Sequence, residues 1–342
     1  MPDLRAFLHH TFEKSGGEMS FEAFMELALY EPVFGYYTAG ITDVGGPRGD
    51  FATSPTRSGA LAKAIAGWLR QEIFERGWKK PFDVIEVGAG NGELAAGIIK
   101  SLNWRERRRF RYHIVDISTR MREVQRERLD GFRVSWHGNV PNALLSCEGR
   151  AMILSNELVD AFPAKWLRRN AESGDWEEAF VRFHSESGLT EFFRPLPPNF
   201  PREAFSALSL ESVEGGQRVE IQPAFRDWLS EVRKNWREGA MLTIDYGGRV
   251  EEIYRRRPAG TIRGYFRHDR VEGGEVYRRF GSQDLTLDVN FTDLLRWGES
   301  LGLRTVSFDT QADFLTRFGQ GDDEMAQSAA GSAFRVLHQR PD

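Results

Sequence analysis

Cysteine is almost missing from this chain: its 342 residues include one, Cys147. A single thiol cannot close an internal disulfide, so a packed core must carry the fold, and a reducing compartment, the cytoplasm by default, is expected. No run of about 18 apolar residues occurs, so no membrane span is expected. The opening residues, MPDLRAFLHHTFEKSGG, carry charges through their apolar positions and show no signal-peptide core. Neither sign of charge dominates, with 46 basic and 50 acidic residues and a net charge of −4. A balanced chain is not built to attract phosphate backbones, which argues against a nucleic-acid partner. The basic runs RERRRFR (Arg105 to Arg111) and Arg255-Arg256-Arg257 lie among acids or beside helix ends and read as solvated surface. The seven histidines are scattered, the His9-His10 pair reads as helix surface, and no Cys/His spacing resembles a metal site, so no metal is expected. Internal repeats and low-complexity tracts are absent as well.

What remains is a chain with a hydrophobic fraction of 40% and an aromatic fraction of 12%, suited to one large domain or two ordinary ones. Residues 1–80 read as mostly helical. Ser20 is placed to cap a helix whose Phe21, Phe24, Met25 and Leu29 share one face. Residues 57–76 return to helix, with Leu61, Ile65, Trp68, Leu69 and Ile73 on one stripe. From residue 82 strands and helices alternate. FDVIEV, YHIVDI, FRVSW, AMILSN and AMLTIDYG read as strands, with helices at ELAAGIIKSL, around MREVQRERL and at 224–237. Alternation of this kind predicts a parallel sheet covered on both faces. LRTVSFDT and SAFRVLH bring the expected count to about seven. Two segments break the rhythm: 164–222 reads as short antiparallel strands, and 248–290 is polar and glycine-rich. Both follow strands, where open sheets place ligand-facing loops.

The stretch DVIEVGAGNGEL (Asp83 to Leu94) ends a strand in Glu86 and then places Gly88, Gly90 and Gly92 at alternate positions. A dinucleotide fingerprint needs a small residue at position 93, where Glu93 stands. The spacing G-x-G-x-G after an acid resembles instead the first motif of S-adenosylmethionine-dependent methyltransferases. Glycines permit the tight turn and a close approach of ligand to backbone. In that reading Glu86 faces the cationic end of the cofactor. Asp116, 30 positions on at the end of the next strand, accepts from both ribose hydroxyls, unless it is an ordinary helix-cap neighbour of Ser118. Asn139, after the third strand, reads the adenine amino group, and His137 is ordinary loop structure. Ala89, Ile117 and Ser118 complete the expected cofactor contacts, with Asn156 as the polar neighbour on the fourth strand.

Six pieces, the glycine stretch among them, occur in order: GYYT (Gly35–Thr38), GDFATSP (Gly49–Pro55), EVGAGNGEL (Glu86–Leu94), SNELVDAFP (Ser155–Pro163), IDYG (Ile244–Gly247) and GTIRGYFRHDR (Gly260–Arg270). Together they resemble the MidA-type methyltransferase family over roughly residues 20 to 315. The resemblance implies an α/β class I methyltransferase (Rossmann-like) fold with a seven-stranded sheet, an N-terminal helical extension and inserted antiparallel or loop lobes. Its expected divisions are 1–80, a helical extension with a cofactor-covering loop; 81–163, 223–247 and 291–342, the core; and 164–222 and 248–290, the substrate-covering insertions. It implies S-adenosyl-L-methionine as cofactor and, through the family's mitochondrial member, an arginine side chain of a protein partner as acceptor. The chain departs from the family pattern at Thr56, where Glu usually follows the proline. It departs again in LDVNF, where Asp288 and Asn290 replace the usual His and Asp. A changed acceptor or reduced activity is the expectation from that second change.

SNELVDAFP supplies two carboxylates, Glu157 and Asp160, three positions apart. In a helical first turn that spacing points both to one side, where they would localise charge on a guanidinium and orient its nitrogen. Glu157 is the expected principal carboxylate and Asp160 its helper. Asp50 is a candidate over the cofactor, and Arg267 and His268 are candidates for substrate or lid. Competing readings are a small-molecule methyltransferase and a non-catalytic cofactor-binding assembly factor.

Overall fold

A computed structural model describes residues 3–40, 59–79, 81–200, 213–267, 269–319 and 333–342. The expectations for Asp50, Thr56 and His268, and the proposed cofactor-covering loop, fall outside the described residues. The chain divides into two compact units: Met1–Thr42, Asp160–Asp227 and Arg249–Arg296 form one, and Asp43–Val159, Trp228–Gly248 and Trp297–Asp342 the other. The first 42 residues therefore group with the two insertions, while the helix Ala60–Glu75 belongs to the core.

The core unit is built on a mixed sheet. Five strands run parallel, ordered from the centre outward in two directions. Phe82–Val87 pairs with Phe110–Val115, which pairs with Val134–His137, and on its other side Phe82–Val87 pairs with Met152–Asn156, followed by Met241–Gly248. Phe334–Pro341 and then Leu303–Thr310 complete that side in antiparallel fashion. Among the described residues the sheet has eight strands where about seven were expected, and seven of them follow this path. Phe82–Val87 and Met152–Asn156 are neighbours from which the chain order departs in opposite directions. That makes the gap beyond their C-terminal ends a topological switch point, the place where open α/β sheets bind ligands.

Phe82–Val87 is buried along its whole length, as a strand covered on both faces should be. One cover is Ala60–Glu75, whose Leu61, Ile65, Trp68 and Leu69 are fully buried, each contributing on the order of 2 kcal/mol by removal of its side chain from water. That helix packs on Glu93–Ser101. Short helices that the sequence pattern did not announce, Trp104–Arg109 and Val140–Ser146, fill two of the crossovers. Gln311–Phe318 is another, near the C-terminus.

The other unit carries the expected antiparallel insertion as a five-stranded sheet: Glu18–Ser20, Trp176–His184, Lys165–Arg169 and Arg218–Ile221, with Gly188–Pro195 on Trp176–His184. Glu18–Ser20 is a strand in a stretch read as helical. Ser20 caps the helix Phe21–Tyr30 as expected, accepting from the Ala23 amide. The glycine-rich insertion folds as a three-stranded sheet, Asp269–Glu272, Arg263–Phe266 and Asp284–Thr286. Among the described residues no helix is long and apolar enough to cross a membrane.

Candidate active site

Gly88, Gly90 and Gly92 all have left-handed backbone, with φ of 70°, 52° and 79°. A side chain at any of them would be strained, which is why the sequence supplies glycine. Gly88 extends the strand pairing by donating to the Val115 carbonyl at 2.9 Å. Gly92 then starts the helix Glu93–Ser101. A Cβ at Gly88 would sit 2.9 Å from Leu158 Cδ1. The glycine loop and the turn after Met152–Asn156 are thus in contact across the switch point.

Glu86 lies beneath this loop, 2% exposed, and accepts from the Tyr112 hydroxyl at 2.7 Å. Burial pushes its carboxyl up to about 7; the Tyr112 hydrogen bond opposes this and Asp116 adds to it. Asp116 is also buried and raised, chiefly by desolvation, against the hydrogen bonds from Ser118 and Gln125. Its Oδ1 accepts from the Ser118 amide and its Oδ2 from Gln125 Nε2, at 2.9 and 2.7 Å. Gln125 Nε2 donates also to the Gly90 carbonyl at 2.8 Å, and Trp136 Nε1 donates to Gln125 Oε1 at 3.1 Å. One fully buried glutamine therefore ties the acid to the loop. Gln125 and Tyr112 were not among the expected site residues. The signal for Gln125 was a polar residue on the buried stripe Met121–Gln125–Leu129 of its helix.

Ser118 is buried and caps Thr119–Arg128 through the Met121 amide, the capping role expected as an alternative for it. Ile117, beside it, is an exposed large apolar side chain at the strand end. Ala89 is buried in the loop. Asn139 caps Val140–Ser146, accepting from the Asn142 amide at 2.9 Å.

On the other side of the switch point, Asn156 and Glu157 stand side by side. Asn156 Nδ2 donates to Glu157 Oε1 at 3.1 Å. The carboxylate only accepts, so this bond fixes which end of the amide is which. Asn156 Oδ1 is then buried with no partner among the described residues, a state that costs about 1–3 kcal/mol unless a donor arrives. Glu157 has a φ of 52°, rare for a side-chain-bearing residue. It is held there by its amide on the Ile244 carbonyl, and by the amides of Leu158 and Val159 on Asp245 Oδ2. The helical first turn expected to align Glu157 with Asp160 is absent. The chain is left-handed at Glu157 and makes one 3-10 turn over Val159–Ala161, so the two carboxylates do not share a helix face. Asp160 is buried in its own unit, accepting from the Thr286 hydroxyl at 2.8 Å, with the Leu287 amide on its carbonyl.

The remaining expectations have local explanations. Arg267 has a φ of 49° and directly follows the strand Arg263–Phe266, which pairs antiparallel with Asp269–Glu272. In LDVNF, Asp288 pairs with Arg263 at 2.8 Å and with Arg257, while Asn290 Oδ1 accepts from the Thr292 amide at the start of Phe291–Ser300.

A glycine-lined turn at the switch point, a buried acid on the next strand and an orphaned amide oxygen opposite suit a ligand with an amine or amide donor and a ribose. A family model for S-adenosyl-L-methionine-dependent methyltransferases matches residues 64–308. The chain belongs to that family. Two curated relatives are the mouse mitochondrial protein arginine methyltransferase NDUFAF7, 26% identical over 84% of this chain and 67% of its own, and its Drosophila melanogaster homologue, 26% identical over 92% and 75%. A superfamily member from Burkholderia thailandensis, crystallised with S-adenosyl-homocysteine, superposes with a TM-score of 0.84 at 28% identity, covering 98% of this chain and 91% of that one. The enzyme is an S-adenosylmethionine-dependent methyltransferase with an α/β class I architecture.

Proposed function

We propose that this methyltransferase acts on an arginine side chain of a protein partner, with Glu157 as the carboxylate that receives the guanidinium. The observation that carries this reading is the strained Glu157, braced by backbone bonds and set against the unpartnered oxygen of Asn156. Strain of this kind survives only where the surroundings over-determine it, and it concentrates at working sites. The names of the relatives at about 25% identity add support, since they are called arginine methyltransferases.

The bound cofactor supplies an electrophilic methyl on a positively charged sulfur. The protein's part is position and charge. Gly88, Ala89, Gly90 and Gly92 give the backbone turn for the amino acid end, with Glu86 beneath it as the buried acid. Asp116, Ile117 and Ser118 line the nucleoside side, and Asn139 stands at the next strand end. Asn156 Oδ1 accepts a donor from cofactor or acceptor. A guanidinium is a poor nucleophile because it is protonated and delocalised. Glu157 draws that charge to one side and points a nitrogen at the methyl. Methylation of that nitrogen would release one guanidinium proton, which Glu157 or solvent would take up. We assign the chain to a reducing compartment, the cytoplasm by its own composition; the relatives' names carry the word mitochondrial.

The test pairs calorimetry with methyl labelling. Glu157→Gln is expected to bind S-adenosyl-homocysteine as the parent does and to lose about a hundredfold in transfer to protein from a cell lysate. Mass spectrometry of the labelled protein should place the methyl on arginine. Label on another residue type, or only in the small-molecule fraction, overturns the acceptor. Undiminished transfer by Glu157→Gln overturns the role of Glu157.

A further inference from the structure

One cluster of reactive side chains is used by neither the loop nor the turn. Side chains alternate across a strand, so Asp83 and His113 lie on the sheet face opposite Glu86 and Tyr112. There Asp83 Oδ1 is 2.9 Å from His113 Nε2, and Cys147 Sγ is 3.5 Å from the same nitrogen. All three residues are buried, and the three atoms lie within 4.8 Å of one another.

We propose that Asp83, His113 and Cys147 form a binding site for a divalent transition metal of the zinc type. The donor set is thiolate, imidazole and carboxylate, which suits Zn2+ and argues against Mg2+ or Ca2+. A tetrahedral Zn2+ with bonds of about 2.3 Å to sulfur and about 2.05 Å to nitrogen separates those two ligands by about 3.5 Å, the separation found here. The Asp83–His113 pair has to open by about 0.4 Å from its hydrogen-bonded distance. The surrounding bonds match what ligands require for orientation. His113 Nδ1 faces His137 Nε2 at 3.0 Å, and Arg111 donates to the second Asp83 oxygen at 2.6 Å. The fourth position is left for water.

Binding balances simply. The ion takes the place of the thiol proton, which is released to solvent, and His113 coordinates through Nε2 while its proton sits on Nδ1 toward His137. The ion would clip three elements together: the start of Phe82–Val87, the middle of Phe110–Val115, and the C-terminal end of Val140–Ser146, where Cys147 follows. Sequence spacing gave no hint of this, because the ligands stand 30 and 34 positions apart on separate elements.

The test uses the full chain and Co2+ alone, followed by Zn2+ in competition. Cys147 is the chain's one cysteine, so any thiolate-to-cobalt charge-transfer band reports that residue. One Co2+ per chain, with a band that Zn2+ abolishes, is the expected result. Cys147→Ala should remove the band while keeping S-adenosyl-homocysteine binding and the circular dichroism spectrum of the parent. His137→Ala should weaken Co2+ about 10- to 100-fold by disorienting His113. Absence of a band in the unaltered protein under excess Co2+ overturns the site and leaves a hydrogen-bonded cluster only. So does a band that His113→Gln leaves unchanged.

Discussion

Asp245 is fully buried, and its carboxylate accepts from the amides of Leu158, Val159 and Tyr246 at 3.2, 2.9 and 2.9 Å. Hydrogen bonds to a charged acceptor contribute about 1.5–3 kcal/mol each. Two of these three fall on the turn that holds Glu157 left-handed, a conformation that costs about 1–2 kcal/mol by itself. The clamp is therefore strong enough to impose the strain. Asp245→Asn keeps the volume but turns a donor toward one of the amides. We expect it to lower kcat about 10- to 100-fold while the Kd for S-adenosyl-homocysteine stays within about threefold, because Asp245 acts through Glu157 and not on the cofactor. An equal loss in cofactor affinity would show that the clamp serves the binding pocket instead. Asp245 stood in the recognisable IDYG piece, but nothing in a linear motif says which backbone a buried acid will bond.

Elements were legible where a pattern had length to repeat. The stripe of Ala60–Glu75, the cap at Ser20 and the strand Phe82–Val87, buried along its length, could be read directly, since burial enforces their patterns. Trp104–Arg109 and Val140–Ser146 were not read, because six or seven residues hold too few turns for a period. Their caps, Asn103 with Glu106 and Asn139 with its following proline, were the available signal. Asn139 was assigned to adenine, and its capping bond is local chemistry of the same side chain. The glycine loop was legible because left-handed backbone restricts residue choice. Gln125, Tyr112 and the Asp83–His113–Cys147 cluster were not, because their meaning arises only when distant strands meet. Packing between elements is equally invisible in sequence. A Cβ on Gly97 would come 2.7 Å from the Ala62 Cβ, which joins two helices that cannot easily yield. Gly97→Ala gains about 1 kcal/mol of helix propensity, against an overpacking cost of about 1–3 kcal/mol. We expect a net loss of about 1 kcal/mol in urea unfolding. Adding Ala62→Gly should recover the overpacking part, giving a coupling energy of about 1 kcal/mol or more. Zero coupling would place the cost of Gly97→Ala elsewhere.

For the whole molecule, the pH dependence of stability follows from carboxylates whose environments pull in opposite directions. Glu72 is buried, which raises its pKa, yet the neighbouring His338 and the hydrogen-bonded Arg340 prevail and bring it down to about 2. Its contribution is present above its unfolded value of 4.5 and is lost as pH falls toward about 2. Glu86 and Asp284 behave in the reverse sense. Each is pushed up to about 7, first by burial; Asp116 adds to this for Glu86 and Asp160 for Asp284, against the hydroxyls of Tyr112 and Tyr37. Below their unfolded values of 4.5 and 3.8 both states are protonated and these groups contribute nothing. Between those values and about 7 the folded chain holds protons that the unfolded chain has released. Stability therefore falls as pH rises through this window, and the cost is complete above it. At 1.36 kcal/mol per pKa unit, each group costs on the order of 2–4 kcal/mol at pH 8. Urea unfolding of the ligand-free protein should accordingly be most resistant near pH 5 and weaken toward pH 8. Glu86→Gln and Asp284→Asn preserve the acceptor for their tyrosine and remove the titration, so each should flatten the decline and raise stability at pH 8. A parent protein whose stability is level from pH 5 to pH 8, or a double variant with the parent's slope, would mean that these two acids are not the groups holding protons in the folded state.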